Sequence, residues 1–136
     1  MAKTNFEQLK VYQLSETLAD EVWSVVSKWK NLARDTVGKQ VIRAADSVGA
    51  NLAEGSGRGS LPDNRRFICI ARGSLYETQH WLRRAYTRKL LTASQIERLK
   101  QIIDDLGPAL NGYLRYVTAN AKNQKSSKAT SLSSKP

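Results

Sequence analysis

Leu14, Leu18, Val22, Val25, Val26 and Trp29 recur at spacings of three and four residues, with Glu16, Asp20 and Ser27 on the opposite side. At about 100° per residue such a set lines one face of a helix. The spacing predicts a long first helix over Phe6 to Lys30. The pattern returns three more times. Val37, Val41, Ala44, Ala45, Val48 and Leu52 share a narrow sector of a second helix, Thr36 to Glu54, whose small residues Ser47, Gly49, Ala50 and Ala53 admit a close neighbour. Ser60-Leu61-Pro62-Asp63 reads as the capped start of a third. Its apolar face is Phe67, Ile70, Ala71, Ser74, Thr78, Trp81, Leu82 and Ala85, widened by Ile68, Leu75 and Tyr86, and it fades near Lys89. That sector is broader than one packing neighbour requires. A fourth helix opens at Thr92-Ala93-Ser94-Gln95, a second capping-box sequence, and carries Ile96, Leu99, Ile102, Ile103, Leu106, Leu110, Tyr113, Leu114 and Val117. Within it Pro108 has no N–H for the carbonyl four residues back, which predicts a kink at Gly107-Pro108.

No segment alternates with period two. Four helices on short connections, each with one apolar stripe, bury those stripes most simply in an all-α, antiparallel up-down-up-down four-helix bundle. The bundle is expected over residues 1–120. Residues 121–136 carry Lys122, Lys125, Lys128 and Lys135, no acid and little apolar surface, the composition of a disordered basic tail.

The 136 residues hold 22 Lys+Arg against 12 Asp+Glu, a formal charge of +10. Taking the four tail lysines from +10 leaves +6 on the rest, so the body is basic too. Such an excess favours a polyanionic partner, nucleic acid before an anionic membrane surface or an acidic protein. No run of about eighteen apolar residues exists, and MAKTNFEQLK lacks the apolar stretch of a signal peptide, so a cytoplasmic protein without membrane contact is expected. One cysteine, Cys69, excludes an internal disulfide, and one histidine, His80, offers little to a metal. No nucleophile with an orienting acid can be assigned around His80, so neither catalysis nor a cofactor is expected.

The stretch NLAEGSGRGSLPDNRRF, Asn51 to Phe67, invites a phosphate-loop reading and does not sustain it. A Walker-type loop needs a lysine that is missing here, and the dinucleotide fingerprint fails because its last glycine is Ser60. The glycines read as punctuation: Gly55 supplies a left-handed residue past a helix end, Gly57 and Gly59 let the chain reverse, and Ser60 caps the next helix. The arginines are a separate matter. Arg65, Arg72 and Arg83 project within about twenty degrees of one another on the third helix, Tyr76 lies in their stripe, and Arg66 and Arg84 form a row beside it. From Arg58 to Lys89, Arg88 included, eight basic residues face two acids, Asp63 and Glu77. Charged outer faces are often merely solvated, but most mix signs. Arginine with an aromatic is the pairing expected for phosphate contacts and base stacking.

RAADSVGANLAEGSGR, Arg43 to Arg58, with FICIARGSLYETQHWL, Phe67 to Leu82, and FEQLKVYQLSETLADEVW, Phe6 to Trp23, resembles the bacterial four-helix-bundle family named after proteins encoded in intervening sequences of large-subunit ribosomal RNA genes. That family is similar in turn to the accessory variability determinant proteins of diversity-generating retroelements, which partner a reverse transcriptase and its template RNA. The resemblance implies a homopentameric ring with basic surfaces and no catalysis of its own. It places Arg43, Asn51, Glu54, Gly55 and Arg58 in one motif and Gly73, Ser74 and Glu77 in a second. Structural roles follow for these: Gly73 and Ser74 admit a neighbouring helix, while Glu54 and Glu77 neutralise Arg43 or Arg58. Ser56 departs from the pattern, standing where a bulky aromatic often follows Glu-Gly.

Three functions fit. The leading one is a non-enzymatic, oligomeric nucleic-acid-binding bundle, RNA favoured over DNA. The second is an accessory subunit that docks a reverse transcriptase. The third is an assembly protein whose charge serves solubility alone.

Overall fold

The computed structural model describes residue 3 and residues 5–133, with side chains to residue 123. Four long helices carry the chain: α1 (Lys10–Val26), α2 (Lys39–Ser56), α3 (Leu61–Thr87) and α4 (Ala93–Ser133). No strand occurs among the described residues. Each helix packs on the next in sequence, and α1 also packs on α4, so the contacts close a four-membered circuit. Leu18, Val22 and Val26 of α1, Val41, Val48 and Leu52 of α2, Ile68 and Leu75 of α3, and Leu106, Leu110 and Val117 of α4 meet in one shielded core. Burial stabilises each such side chain by about 1.5–3 kcal/mol.

The first helix is not continuous from Phe6. A 3₁₀ turn over Phe6–Gln8 precedes an extended Leu9 (φ −69°, ψ 132°), and α1 begins only at Lys10. The break turns Leu9 toward the core and seats Phe6 edge-on against Tyr12, ring centroids 5.0 Å apart. Likewise α2 is preceded by a turn at Asn31–Ala33 and a π-helical turn at Arg34–Gly38, where one unbroken helix from Thr36 was expected. Trp29, 9% exposed, fills the corner after α1 and donates from Nε1 to the Leu90 carbonyl at 3.0 Å.

Both expected helix starts form. Ser60 Oγ accepts from the Asp63 N–H at 3.3 Å with Pro62 in the first turn of α3. At α4 the capping box is reciprocal, with the Gln95 N–H on Thr92 Oγ1 at 3.2 Å and the Thr92 N–H on Gln95 Oε1 at 2.9 Å. Pro108 lies inside α4, which continues through it. The backbone also stays helical across 121–133, where a tail without structure was expected. Extending a formed helix gains one hydrogen bond for each residue fixed, whereas starting one fixes three residues for a single bond, and Pro136 is the first glycine or proline after Gly112. Ala121 is buried and Lys122 exposed; the side chains of Lys125 and Lys128, and all of Lys135, lie outside the described residues.

The glycine stretch is built differently from its sequence reading. Gly55 is not a left-handed cap: α2 runs on to Ser56, and Gly55 is a buried helical residue at the crossing with α3. A Cβ there would lie 2.6 Å from Asn64 Oδ1 and 2.8 Å from Phe67 Cβ. Closeness, not conformation, demands the glycine. The left-handed residue is Gly59 (φ 79°), just before the Ser60 cap.

Candidate nucleic-acid interface

Helix α3 positions the candidate residues. It holds 27 residues, roughly 40 Å of rigid rod. Its far end closes with a Schellman motif: the Leu90 N–H reaches the Ala85 carbonyl at 2.9 Å and the Lys89 N–H the Tyr86 carbonyl at 3.0 Å, with Lys89 itself at φ 61°. Polar links fix its rotation. Ser74 Oγ meets Ser47 Oγ of α2 at 2.9 Å, Asn51 Nδ2 donates to the same Ser47 Oγ at 2.9 Å, and Asn64 Nδ2 donates to Tyr113 Oη of α4 at 3.2 Å. Asn64 Oδ1 is buried against Gly55 without a hydrogen bond. With Asn64, Phe67, Ile68, Ala71, Leu75, Thr78, Leu82 and Ala85 turned inward, the opposite side of α3 must face out. The core side is displaced from the expected one: Ile70 and Tyr86 are 43% and 53% exposed, and Ser74 and Trp81 are half-buried.

The arginines occupy that outer side. Arg65 leans toward α4 and donates from Nε to Thr118 Oγ1 at 3.0 Å. Arg58 and Arg66 share one ring, their guanidinium carbons 4.8 and 4.7 Å from the centroid of Phe67. Arg58, just past the end of α2, also pairs with Glu54 of that helix at 3.3 Å, in keeping with the neutralising role expected of Glu54. Arg83 stands 5.8 Å from the Tyr86 ring centroid. Arg72 and Arg84 are half-buried, and Arg88 and Lys89 are exposed at the helix end. Tyr76 is 61% exposed in the same stripe, but neither Arg72 nor Arg83 lies over its ring; Phe67 and Tyr86 hold the arginines instead. Among the described residues, Arg65, Arg66, Arg72, Arg83, Arg84, Arg88 and Lys89 form no ion pair, so no carboxylate there neutralises their charge.

The second motif is corrected at two positions. Gly73 is exposed, with nothing within 4 Å of where its Cβ would stand, so no helix of the same chain approaches it. Ser74 does meet α2, through its hydroxyl. Glu77 and Arg43 are exposed and form no ion pair among the described residues. His80 packs edge-on against Trp81 at 4.9 Å, and Cys69 is half-buried.

Charge is segregated around the circuit. Glu16 and Asp20 of α1 face Asp46 of α2 along a groove that also holds Tyr12, Ser15 and Gly49. Burial, then the neighbouring Asp20 charge, pushes the Asp46 carboxyl above its ordinary range; burial, then Glu16, raises the Tyr12 phenol. The α1–α2 seam is therefore acidic, whereas the outer side of α3 carries the unpaired cations. Among the described residues, no helix is long and apolar enough to cross a membrane.

The profile of the family described as 23S rRNA-intervening sequence protein matches residues 7–112. Among solved structures, a Bacteroides thetaiotaomicron protein of unknown function from the S23 ribosomal protein family superposes with a TM-score of 0.68 at 23% identity. The match covers 76% of this chain and 97% of that one, a likeness of fold. No curated protein matches the chain.

Proposed function

The chain belongs to the 23S rRNA-intervening sequence protein family, and from that premise we propose that it is a non-enzymatic RNA-binding bundle that works as a homo-oligomer. The observation that carries the reading is the row of cations on α3 that form no ion pair among the described residues, set on a rigid rod and partly braced by Phe67 and Tyr86. Unpaired arginines can contact phosphates without first breaking an internal ion pair, and each contact releases a counterion. The preference for RNA over DNA rests on the family's name, 23S rRNA-intervening sequence protein.

The finer architecture belongs to the same proposal. An antiparallel up-down-up-down course is supported by the Trp29–Leu90 bond, which places the end of α1 beside the turn between α3 and α4. Self-association is supported by Ile70 and Gly73, an exposed apolar and small pair on α3 that the single chain leaves uncovered, and a homopentameric ring is what the family resemblance implies for it. A ring would also multiply the charge of each chain into a field strong enough to hold RNA.

A titration of the full chain against structured RNA at several salt concentrations tests the reading. Affinity is expected to fall steeply with salt and to drop on joint replacement of Arg65, Arg72 and Arg83 by Glu. Absent or salt-insensitive binding would sink it, and light scattering reports the oligomer number in the same samples. The exposed Trp23 (63%) and Leu32 (78%) favour a second reading, a docking face for a protein such as a retroelement reverse transcriptase. Co-purification with a reverse transcriptase, lost on Trp23→Ala, would support that alternative.

A further inference from the structure

We propose that the groove between α3 and α4 is a pocket for one unpaired nucleotide of the bound RNA. This rests on the RNA-binding reading and adds to it a way of recognising single strands. The groove has a volume of about 430 Å³, within the roughly 300–1,000 Å³ typical of small-ligand sites. Its floor is apolar: Leu82 and Leu99, both lining it, are 9% and 3% exposed. Its rim is polar and aromatic, formed by Gln79, Arg83, Tyr86 and Lys100.

Each part matches one part of a nucleotide. Tyr86, 53% exposed, presents a ring at the rim with the Arg83 guanidinium 5.8 Å from its centroid. An aromatic beside an arginine is a platform on which any base can stack. The Gln79 amide offers a donor and an acceptor to a base edge. Arg83 has no ion pair among the described residues, and Lys100 has only a 3.7 Å partner in Asp104, both side chains well exposed at 70% and 64%. Such a surface pair is weak, so a phosphate can draw Lys100 away at little cost. Asp104 keeps the groove from being a general anion site, which leaves the flanking phosphate the Arg83 side. That side continues along α3 into the stripe of Arg72 and Arg65. A protein partner would need acidic groups set opposite Arg83 and an apolar anchor at once, whereas a nucleotide brings both in one unit. A paired base cannot enter, because its faces and edge are occupied within the duplex.

The full chain is titrated, at one salt concentration, with a labelled oligoadenylate single strand and with a blunt RNA duplex of equal length. Tyr86→Ala is expected to weaken single-strand binding about tenfold relative to duplex binding, which loses only the bracing of Arg83. Tyr86→Phe should retain both. Gln79→Ala, another exposed position, should weaken the single strand alone. Thermal melts of the variants should match the wild type, because Tyr86 and Gln79 are exposed. If the wild type binds both RNAs and Tyr86→Ala leaves their ratio unchanged, as it would for a groove that takes a protein, the pocket is overturned while the RNA reading stands. If the wild type binds neither, both are overturned.

Discussion

Trp29 Nε1 donates to the Leu90 carbonyl at 3.0 Å, tying the corner after α1 to the turn that joins α3 to α4. The two residues are 61 apart in the chain, and the indole that makes the bond is itself 9% exposed. Trp29→Phe keeps most of the apolar contact and removes the donor. The expected cost is about 1 kcal/mol, read by urea denaturation as a lowered midpoint with an unchanged slope. Trp29→Ala also leaves a cavity and is expected to cost about 3–5 kcal/mol.

Gly55 and Gly73 are both helical glycines of a family motif, and they respond oppositely to a methyl group. A Cβ at Gly55 would meet Asn64 Oδ1 at 2.6 Å and Phe67 Cβ at 2.8 Å, contacts that force α2 and α3 apart. Gly55→Ala is expected to destabilise by about 1–3 kcal/mol. At Gly73 nothing of the same chain lies within 4 Å, so Gly73→Ala should add the helix preference of alanine, about 1 kcal/mol, to the folding of the single chain, and a loss of stability would mean that another subunit covers the position. Denaturation of the two variants side by side decides the matter; a stabilised Gly55→Ala would refute the close crossing.

What could be seen in the sequence was local. The Ser60 cap and the Thr92–Gln95 box need only residues three apart, and both formed as the spelling indicates. The stripes that define four helices are equally local, since each is a periodicity within one segment. Gly55 was misjudged because its reason, the approach of Asn64 and Phe67, lies on another helix. The same holds for Phe67: its spacing marks it as a core residue, and nothing in the spacing says that Arg58 would fold back onto its ring beside Arg66. The exposure of Ile70 and Tyr86 depends on how α3 is rotated about its axis, which the Ser47–Ser74 and Asn64–Tyr113 links set across helices.

Lys89 closes α3 in the left-handed region, at φ 61°. A side chain with a Cβ is held there at a cost of about 1–2 kcal/mol, which glycine does not incur. Lys89→Gly is expected to recover up to about 1 kcal/mol, the unfolded chain's greater freedom offsetting the remainder. A higher melting temperature is the readout, and an unchanged or lower one would count against the cap geometry.

Asp46 makes stability pH-dependent. Burial, and secondly the Asp20 charge, raise its folded pKa above the ordinary carboxylate value. The folded chain therefore holds this proton to higher pH than the unfolded chain, and its contribution to stability declines as pH rises from the ordinary value through the raised one. Asp46→Asn removes the ionisation and should raise stability at neutral pH while flattening that decline. Denaturant midpoints measured from about pH 4 to about pH 7 test it. The change is expected to be small because the Asp46 side chain is only slightly withdrawn from water.

Phe67 separates the holding of cations from their number. Its ring stands 4.8 Å from the Arg58 guanidinium carbon and 4.7 Å from that of Arg66, so two cations are braced on one side chain that is itself 9% exposed. Phe67→Leu keeps an apolar residue at the α2–α3 crossing and removes the π-face, at a cost to folding of about 1–2 kcal/mol. Both arginines remain, so the number of phosphates neutralised, and with it the slope of log affinity against log salt, should not change. On the RNA-binding proposal, what changes is the entropy lost when the two side chains are fixed against RNA, about 0.5–1.5 kcal/mol for each. The expected result is a uniform several-fold loss of affinity at every salt concentration, in parallel with the wild-type line. A change of slope instead would mean that Phe67 determines whether those arginines reach the phosphates at all.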